Sequence, residues 1–193
     1  MITTRRTLTA CGALLLPVVA CAHPGHDVTQ GFAAGLLHPL LGMDHLVAAL
    51  VVGAWSVQRT GPLRSALPFA FILALLAGVL GASHLPLQAG PVEQLIAASL
   101  LVLGALLALA WRVHWLPSLA ITTAFACFHG LAHGSEQPAG AALAPYASGL
   151  VVTTLAALLL GQLGTAVLQR RLGPAPLRWL GAACAVAGIT LLA

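Results

Sequence analysis

The sequence predicts an all-α membrane protein, a polytopic bundle of six transmembrane helices behind a cleaved signal peptide. Three observations carry that prediction. Of 193 residues, 60% are hydrophobic and only 6% charged, whereas soluble domains carry charge on roughly a quarter of their residues. The apolar residues fall in runs long enough to cross a bilayer, which takes about 20 residues of helix. The basic residues alternate from loop to loop in the way that fixes membrane orientation.

The leader occupies residues 1–22, followed by a transmembrane domain over 23–193. Arg5 and Arg6 precede an apolar stretch from Ala10 to Val19, and Ala20-Cys21-Ala22 forms an Ala-x-Ala cleavage site. Cleavage there leaves His23 as the mature N-terminus. The same stretch contains Val18-Val19-Ala20-Cys21, which also reads as a lipoprotein box with Cys21 acylated. An uncleaved anchor is the third option, with a core short for a span.

The six runs are Gln30 to Val57, Ser65 to Ser83, Val92 to Trp111, Trp115 to His133, Tyr146 to Leu168 and Leu177 to Ala193. Arg59 and Arg64 follow the first, Arg112 the third, and Arg170, Arg171 and Arg178 surround the turn from the fifth to the sixth. No arginine follows the second or fourth run. A cleaved leader starts the mature chain outside, so every arginine-bearing loop falls inside, as the positive-inside rule requires. The expected location is a bacterial inner membrane, with both mature termini in the periplasm. The chain has no lysine, and arginines placed singly or in pairs between spans form no patch for nucleic acid. Loops marked by Gly61-Pro62, Gly90-Pro91, Pro138 and Gly173-Pro174 are too short for a soluble domain, so function belongs inside the bundle. Small residues such as Gly78, Gly81, Gly161 and Gly164 read as helix-packing positions, since helices in lipid associate through van der Waals fit.

Ionisable residues in such spans are costly and mark ion or substrate paths. Span one contains His38, Asp44 and His45 within eight positions. On a straight helix the two imidazoles stand about 10 Å apart along the axis. Pro39 removes a backbone donor and Gly42 loosens the turn, so a break here would draw the three side chains together. Interrupted helices at substrate depth are a transporter device. A plain His-Asp hydrogen bond in a kinked helix is the structural alternative. In span four, His129 and His133 lie four apart on one helix face, a spacing at which two imidazoles chelate one ion. No Glu follows the first, so this is not the HExxH of a zinc peptidase. Both clusters fall in the outer half of the bundle.

Neutral imidazoles with a carboxylate suit zinc, copper, iron or nickel, and a site of mixed ligands can release its ion where a thiolate cage would not. Cys127 and Cys184 therefore read as packing residues. His23, His26 and Asp27 would form a capture arm at the periplasmic mouth, or an incidental tail. Glu93 opens span three on that side as a gate or auxiliary ligand, although the helix dipole favours a carboxylate there anyway. His84 and His114 sit near the interfaces and need no special role. Two other chemistries use histidine clusters in membranes. A hydroxylase- or desaturase-like metalloenzyme would hold iron, but with more histidines, facing the cytosol. A helical bundle can also ligate haem axially.

His38-Pro39-Leu40-Leu41-Gly42-Met43-Asp44-His45 resembles the HxxxxxDH signature of the HupE/UreJ family of nickel permeases. Phe128-His129-Gly130 with Ala132-His133-Gly134 and Glu136 resembles its second motif. His23-Pro24-Gly25 at the mature start and Leu85-Pro86 to Pro91-Val92-Glu93 fit the same order of parts. The resemblance covers nearly the whole mature chain and implies a secondary carrier, not an enzyme. It would move Ni2+, or Co2+ in some members, from periplasm to cytoplasm with no permanently bound cofactor. The metal would serve hydrogenase, urease or cobalamin maturation. It nominates His38, Asp44, His45, His129 and His133 as metal ligands, Glu93 and Glu136 as auxiliary groups, and Phe69 and Phe128 as aromatic neighbours. Ala89-Gly90-Pro91 departs from the family pattern, which loosens the placement of Glu93.

Overall fold

The computed structural model describes residues 28–85 and 88–193. The leader, Cys11, Cys21, His23, His26 and Asp27 lie outside the described residues. Those described form seven helices and no strand: α1 (Val28–Leu41), α2 (Met43–Val57), α3 (Leu63–Gly81), α4 (Ala89–Leu109), α5 (Trp115–Ser135), α6 (Leu143–Leu172) and α7 (Ala175–Leu192). Helices α3 to α7 are each long and apolar enough to span a membrane. Helices α1 and α2 together make a sixth candidate span, bent by 81°. The chain is a polytopic helical membrane bundle.

The bend falls where the sequence is weakest for helix. Pro39 lies in the last turn of α1, and Gly42 leaves helical geometry at φ −91°, ψ 89°. Hydrogen bonds from Gly42 N to His38 O and from Leu46 N to Gly42 O keep the two helices joined. Asp44 lies in the first turn of α2, where its Oδ1 accepts the His45 backbone N–H, and a carboxylate there also suits the helix dipole. The predicted span one is thus two half-length helices meeting at a corner. The other spans keep their predicted order, with ends shifted by a few residues.

Both halves of the corner pack on α6, whose 30 residues extend about 45 Å. Gly35 meets the Tyr146 backbone, Gly53 meets that of Leu158, and Gly161 meets that of Leu50. From Leu36 with Thr153, through Gly53 with Leu158, to Ser56 with Gln162 the contacts advance together, so α6 runs parallel to α2. The same holds for α3 and α5, where Gly78 and Gly130 let the backbones touch, while α4 and α7 run antiparallel through Gly104 and Gly181. At each crossing the missing Cβ permits the approach that holds helices together without a hydrophobic drive. The packing role expected for Gly78 and Gly161 therefore stands. Gly164 differs: it is exposed, with nothing near the place a Cβ would take, so it faces out of the bundle.

Charge separates to opposite ends. Gln58 bonds the Leu107 carbonyl, Arg59 the Trp111 carbonyl, Arg178 the Ala108 carbonyl, and Gln162 the Arg64 carbonyl. These bonds gather the α2–α3, α4–α5 and α6–α7 turns, and with them all six described arginines, at one end. Asp44, Glu93 and Glu136, the described acids, line a cavity at the other. Burial, and secondarily the neighbouring Arg112, pushes the Arg59 guanidinium below its ordinary pKa. Between the ends lies an apolar core that includes Trp55, Leu67, Phe71, Leu103 and Leu158. Leu73, Leu160, Leu163, Trp179 and Ile189 project outward, as a lipid-facing belt should.

Candidate metal centre

Helix α5 presents His129 and His133, one turn apart, to the interior, where they are 1% and 2% exposed. The His129 Nδ1 lies 2.9 Å from the Phe125 carbonyl. A carbonyl only accepts, so Nδ1 carries the proton and Nε2 presents a lone pair. That Nε2 is buried and has no partner.

His45 is set in the same way from the other side. Its Nδ1 donates to Asp44 Oδ1 at 2.8 Å, which leaves a buried, unpartnered Nε2. A carboxylate holding the distal nitrogen is the usual means of fixing the tautomer of a metal-binding imidazole and raising its basicity. Asp44 Oδ1 is thus engaged by both the ring and the backbone of His45. The bend at Gly42 carries His38 to the same place. Its ring centroid lies 5.0 Å from that of His133, while the His45 ring lies 4.3 Å from His133 and 4.9 Å from His129. The four imidazoles form a contiguous file in the order His38, His133, His45, His129.

The outer end of the file is also the most compact donor set. One ligand atom each from His38, His133 and Glu136 lie within 4.8 Å of one another, and His38 Nε2 is 2.9 Å from Glu136 Oε2. These three, with Asp44, His45 and Glu93, line an open cavity of about 650 Å³ at the acid end. His129 lies beyond it. His133 Nδ1, also buried and unpartnered, belongs to the ring between the two regions. Three orphaned imidazole nitrogens in one cluster are unusual, because buried polar groups nearly always have partners. A cation with vacant coordination positions would supply the missing partner.

One of the two aromatic neighbours nominated from the sequence is displaced. Phe69 is 67% exposed on α3, and Phe128 is half-buried on α5. Phe71 packs toward His129, with ring centroids 6.2 Å apart, and is fully buried. Residues 69 and 71 stand about 200° apart around a helix, so the structure puts Phe69 on the opposite side from the histidines. Tyr146 was also missed. Its hydroxyl donates to the His133 carbonyl at 3.0 Å, and its ring lies 6.0 Å from that of His38. Being the one tyrosine in the chain, and within a span, was its available signal.

Residues 11–191 match the HupE / UreJ protein family. The chain belongs to the HupE/UreJ family. It is 34% identical to Protein HupE of Rhizobium leguminosarum bv. viciae over 186 residues, covering 95% of each chain. No solved structure matches it. HupE/UreJ is a family of transporters associated with nickel and cobalt, not of enzymes.

Proposed function

We propose that this protein is a secondary carrier that takes Ni2+, and Co2+ as the alternative cargo, from the periplasm into the cytoplasm through the His/Asp file. The observation that carries the reading is the set of buried, unpartnered nitrogens at His45 Nε2, His129 Nε2 and His133 Nδ1. Imidazole is a good donor for both ions. The metal is cargo, and no resident cofactor is needed.

The hydrated ion is drawn into a cavity lined by Asp44, Glu93 and Glu136, where fixed negative charge raises its local concentration. His38, His133 and Glu136 replace its first waters. His45 and His129 then take it deeper, their tautomers set in advance by Asp44 and the Phe125 carbonyl. Sharing His133 between the outer and inner steps lets one ligand stay bound while others exchange. The arginine turns face the cytoplasm and the acid cavity the periplasm, in a bacterial inner membrane, with both mature termini outside after removal of residues 1–22. Capture by His23, His26 and Asp27 at that mouth fits the same orientation. The delivered metal would feed hydrogenase, urease or cobalamin maturation.

The test is uptake of radioactive nickel into proteoliposomes, with cobalt, zinc and iron as competitors. His129→Ala and His133→Ala should abolish saturable uptake while leaving the protein folded and monodisperse. Undiminished nickel uptake in both variants would show that the ion passes elsewhere.

A further inference from the structure

We infer that the facing sides of α2 and α5 form the route the ion takes beyond the histidines, and that Arg59 latches its far end. The inference rests on the proposed transport function and extends it to the half of the molecule beyond the histidine file.

Six buried side-chain polar atoms lack partners among the described residues. Three belong to α2 and the turn after it: His45 Nε2, Trp55 Nε1 and Gln58 Oε1. Three belong to α5: His133 Nδ1, His129 Nε2 and Thr122 Oγ1. They run from the acid end to the arginine end along two helices whose side chains meet at both extremities. At one extremity the His45 ring lies against those of His129 and His133. At the other the Arg59 guanidinium donates to Ser118 Oγ at 3.1 Å and to the Trp111 and Val113 carbonyls.

Positions 133, 129, 126, 122 and 118 follow one side of α5, and positions 45, 49, 52 and 56 one side of α2, with Arg59 just beyond its end; Trp55 and Gln58 lie beside that face, Gln58 bonding the Leu107 carbonyl of α4. The middle of the route is lined by small side chains, Ala49 and Val52 on α2 and Ala126 on α5, all buried. Thr122, 1% exposed, offers a bare hydroxyl oxygen between Ala126 and the latch. Donors along the seam therefore change from imidazole nitrogen to neutral oxygen. Nickel-like ions hold nitrogen more tightly than neutral oxygen, so affinity falls along the route and favours release.

Arg59 is the feature that closes it. Its guanidinium is buried, lies 5.3 Å over the Trp55 ring, and is satisfied by neutral acceptors alone. Every described acid is at the opposite end. A fixed positive charge at the neck of a passage excludes cations electrostatically as well as sterically. Its partners are two carbonyls of the α4–α5 turn and the first turn of α5, so a displacement of that turn would release it.

The experiment reads access rather than transport. With the four cysteines replaced by alanine, Thr122→Cys is introduced and labelled in oriented vesicles with a membrane-impermeant maleimide applied from the arginine end. Labelling should be slow when Arg59 is intact and about tenfold faster with Arg59→Gln, the order expected from losing a charge-assisted hydrogen bond. Arg59→Lys should restore part of the protection. Ser118→Ala, a milder change, should shift the rate in the same direction if Arg59→Gln does not fold. Nickel binding in detergent confirms that each variant retains the histidine file. An Arg59→Gln protein that binds nickel like its parent but labels no faster at position 122 overturns the latch. Labelling needs no metal flux, so a wild type that moves no nickel would sink the proposed function and leave this result readable.

Discussion

Replacing Asp44 by Asn separates two roles that its position allows, ligand and orienting group. Asp44 Oδ1 accepts from both the ring Nδ1 and the backbone N–H of His45, at 2.8 and 2.9 Å. Asn keeps the size and one accepting oxygen, so the backbone bond and the tautomer survive, and only the charge is lost. A hydrogen bond to a charged group contributes roughly 1.5 to 3 kcal/mol and a neutral one roughly 0.5 to 1.5, a loss of about 1 to 1.5 kcal/mol. That corresponds to about a tenfold weaker nickel affinity, at the lower edge of the roughly 10- to 100-fold seen when the carboxylate behind a metal-bound imidazole is removed. Calorimetric titration of nickel into detergent-solubilised protein measures the affinity, and proteoliposome uptake should show the same factor in KM. His45→Ala should be far more severe, because it removes a donor outright. If Asp44→Asn binds nickel as tightly as wild type, the carboxylate does not prepare His45. If it matches His45→Ala in severity, Asp44 is itself a ligand, through its other oxygen.

The geometry sets three further outcomes. Gly161→Ala forces a methyl group into the Leu50 backbone and should cost roughly 1 to 3 kcal/mol, read as a lower melting temperature in detergent. Gly164→Ala meets nothing and should be neutral or slightly stabilising through helix propensity; equal effects at the two sites would contradict the α2–α6 contact. Phe71→Leu should weaken nickel binding by loosening the wall beside His129, whereas Phe69→Leu, on an exposed face, should leave both binding and melting unchanged. Glu93→Gln should slow nickel capture a few-fold at low ionic strength and converge with wild type as salt screens the cavity, since peripheral charges act mainly on association. A Glu93→Gln defect that persists at high salt would instead make Glu93 a ligand.

Features that depend only on one-dimensional pattern were largely legible in the sequence. The spans were readable because an apolar run of membrane length has few other uses, and the break at Gly42 because Pro39 and Gly42 both weaken a helix within one turn. The 81° angle was not, since it depends on α1 and α2 both approaching α6 closely, through Gly35 on α1, Gly53 on α2 and Gly161 on α6. Phe69 and Phe71 could not be ranked either. In lipid a helix is apolar all round, so the periodicity that reveals the buried face of a soluble helix is absent. Arg59 was read only for its sign, with the other loop arginines. Nothing in its local sequence distinguishes it from Arg64, and its burial arises from the α4–α5 turn, more than 50 positions along the chain.

The segregation of charge bears on how the bundle can pass a cation in one direction without leaking. Three described acids surround the cavity and six arginines occupy the other end, so the protein's own field draws a divalent ion in and then opposes its departure. An inward-negative membrane potential contributes about 2.3 kcal/mol per charge per 100 mV, hence about 4.6 kcal/mol for a divalent ion. That driving force acts on any open passage, including one open to protons or magnesium. A buried guanidinium across the seam would hold back those ions as well. Imidazoles set deeper than the carboxylates favour the cation able to exchange oxygen for nitrogen, so selection and closure need not reside in the same residues. On this reasoning Arg59→Gln should relax discrimination against magnesium and raise passive leak while nickel affinity stays near that of wild type. His129→Ala should do the reverse, abolishing nickel affinity in a bundle that remains tight. Ion leak and nickel binding measured on the two variants side by side would show whether those functions separate; coupled loss of both in each variant would mean that they do not.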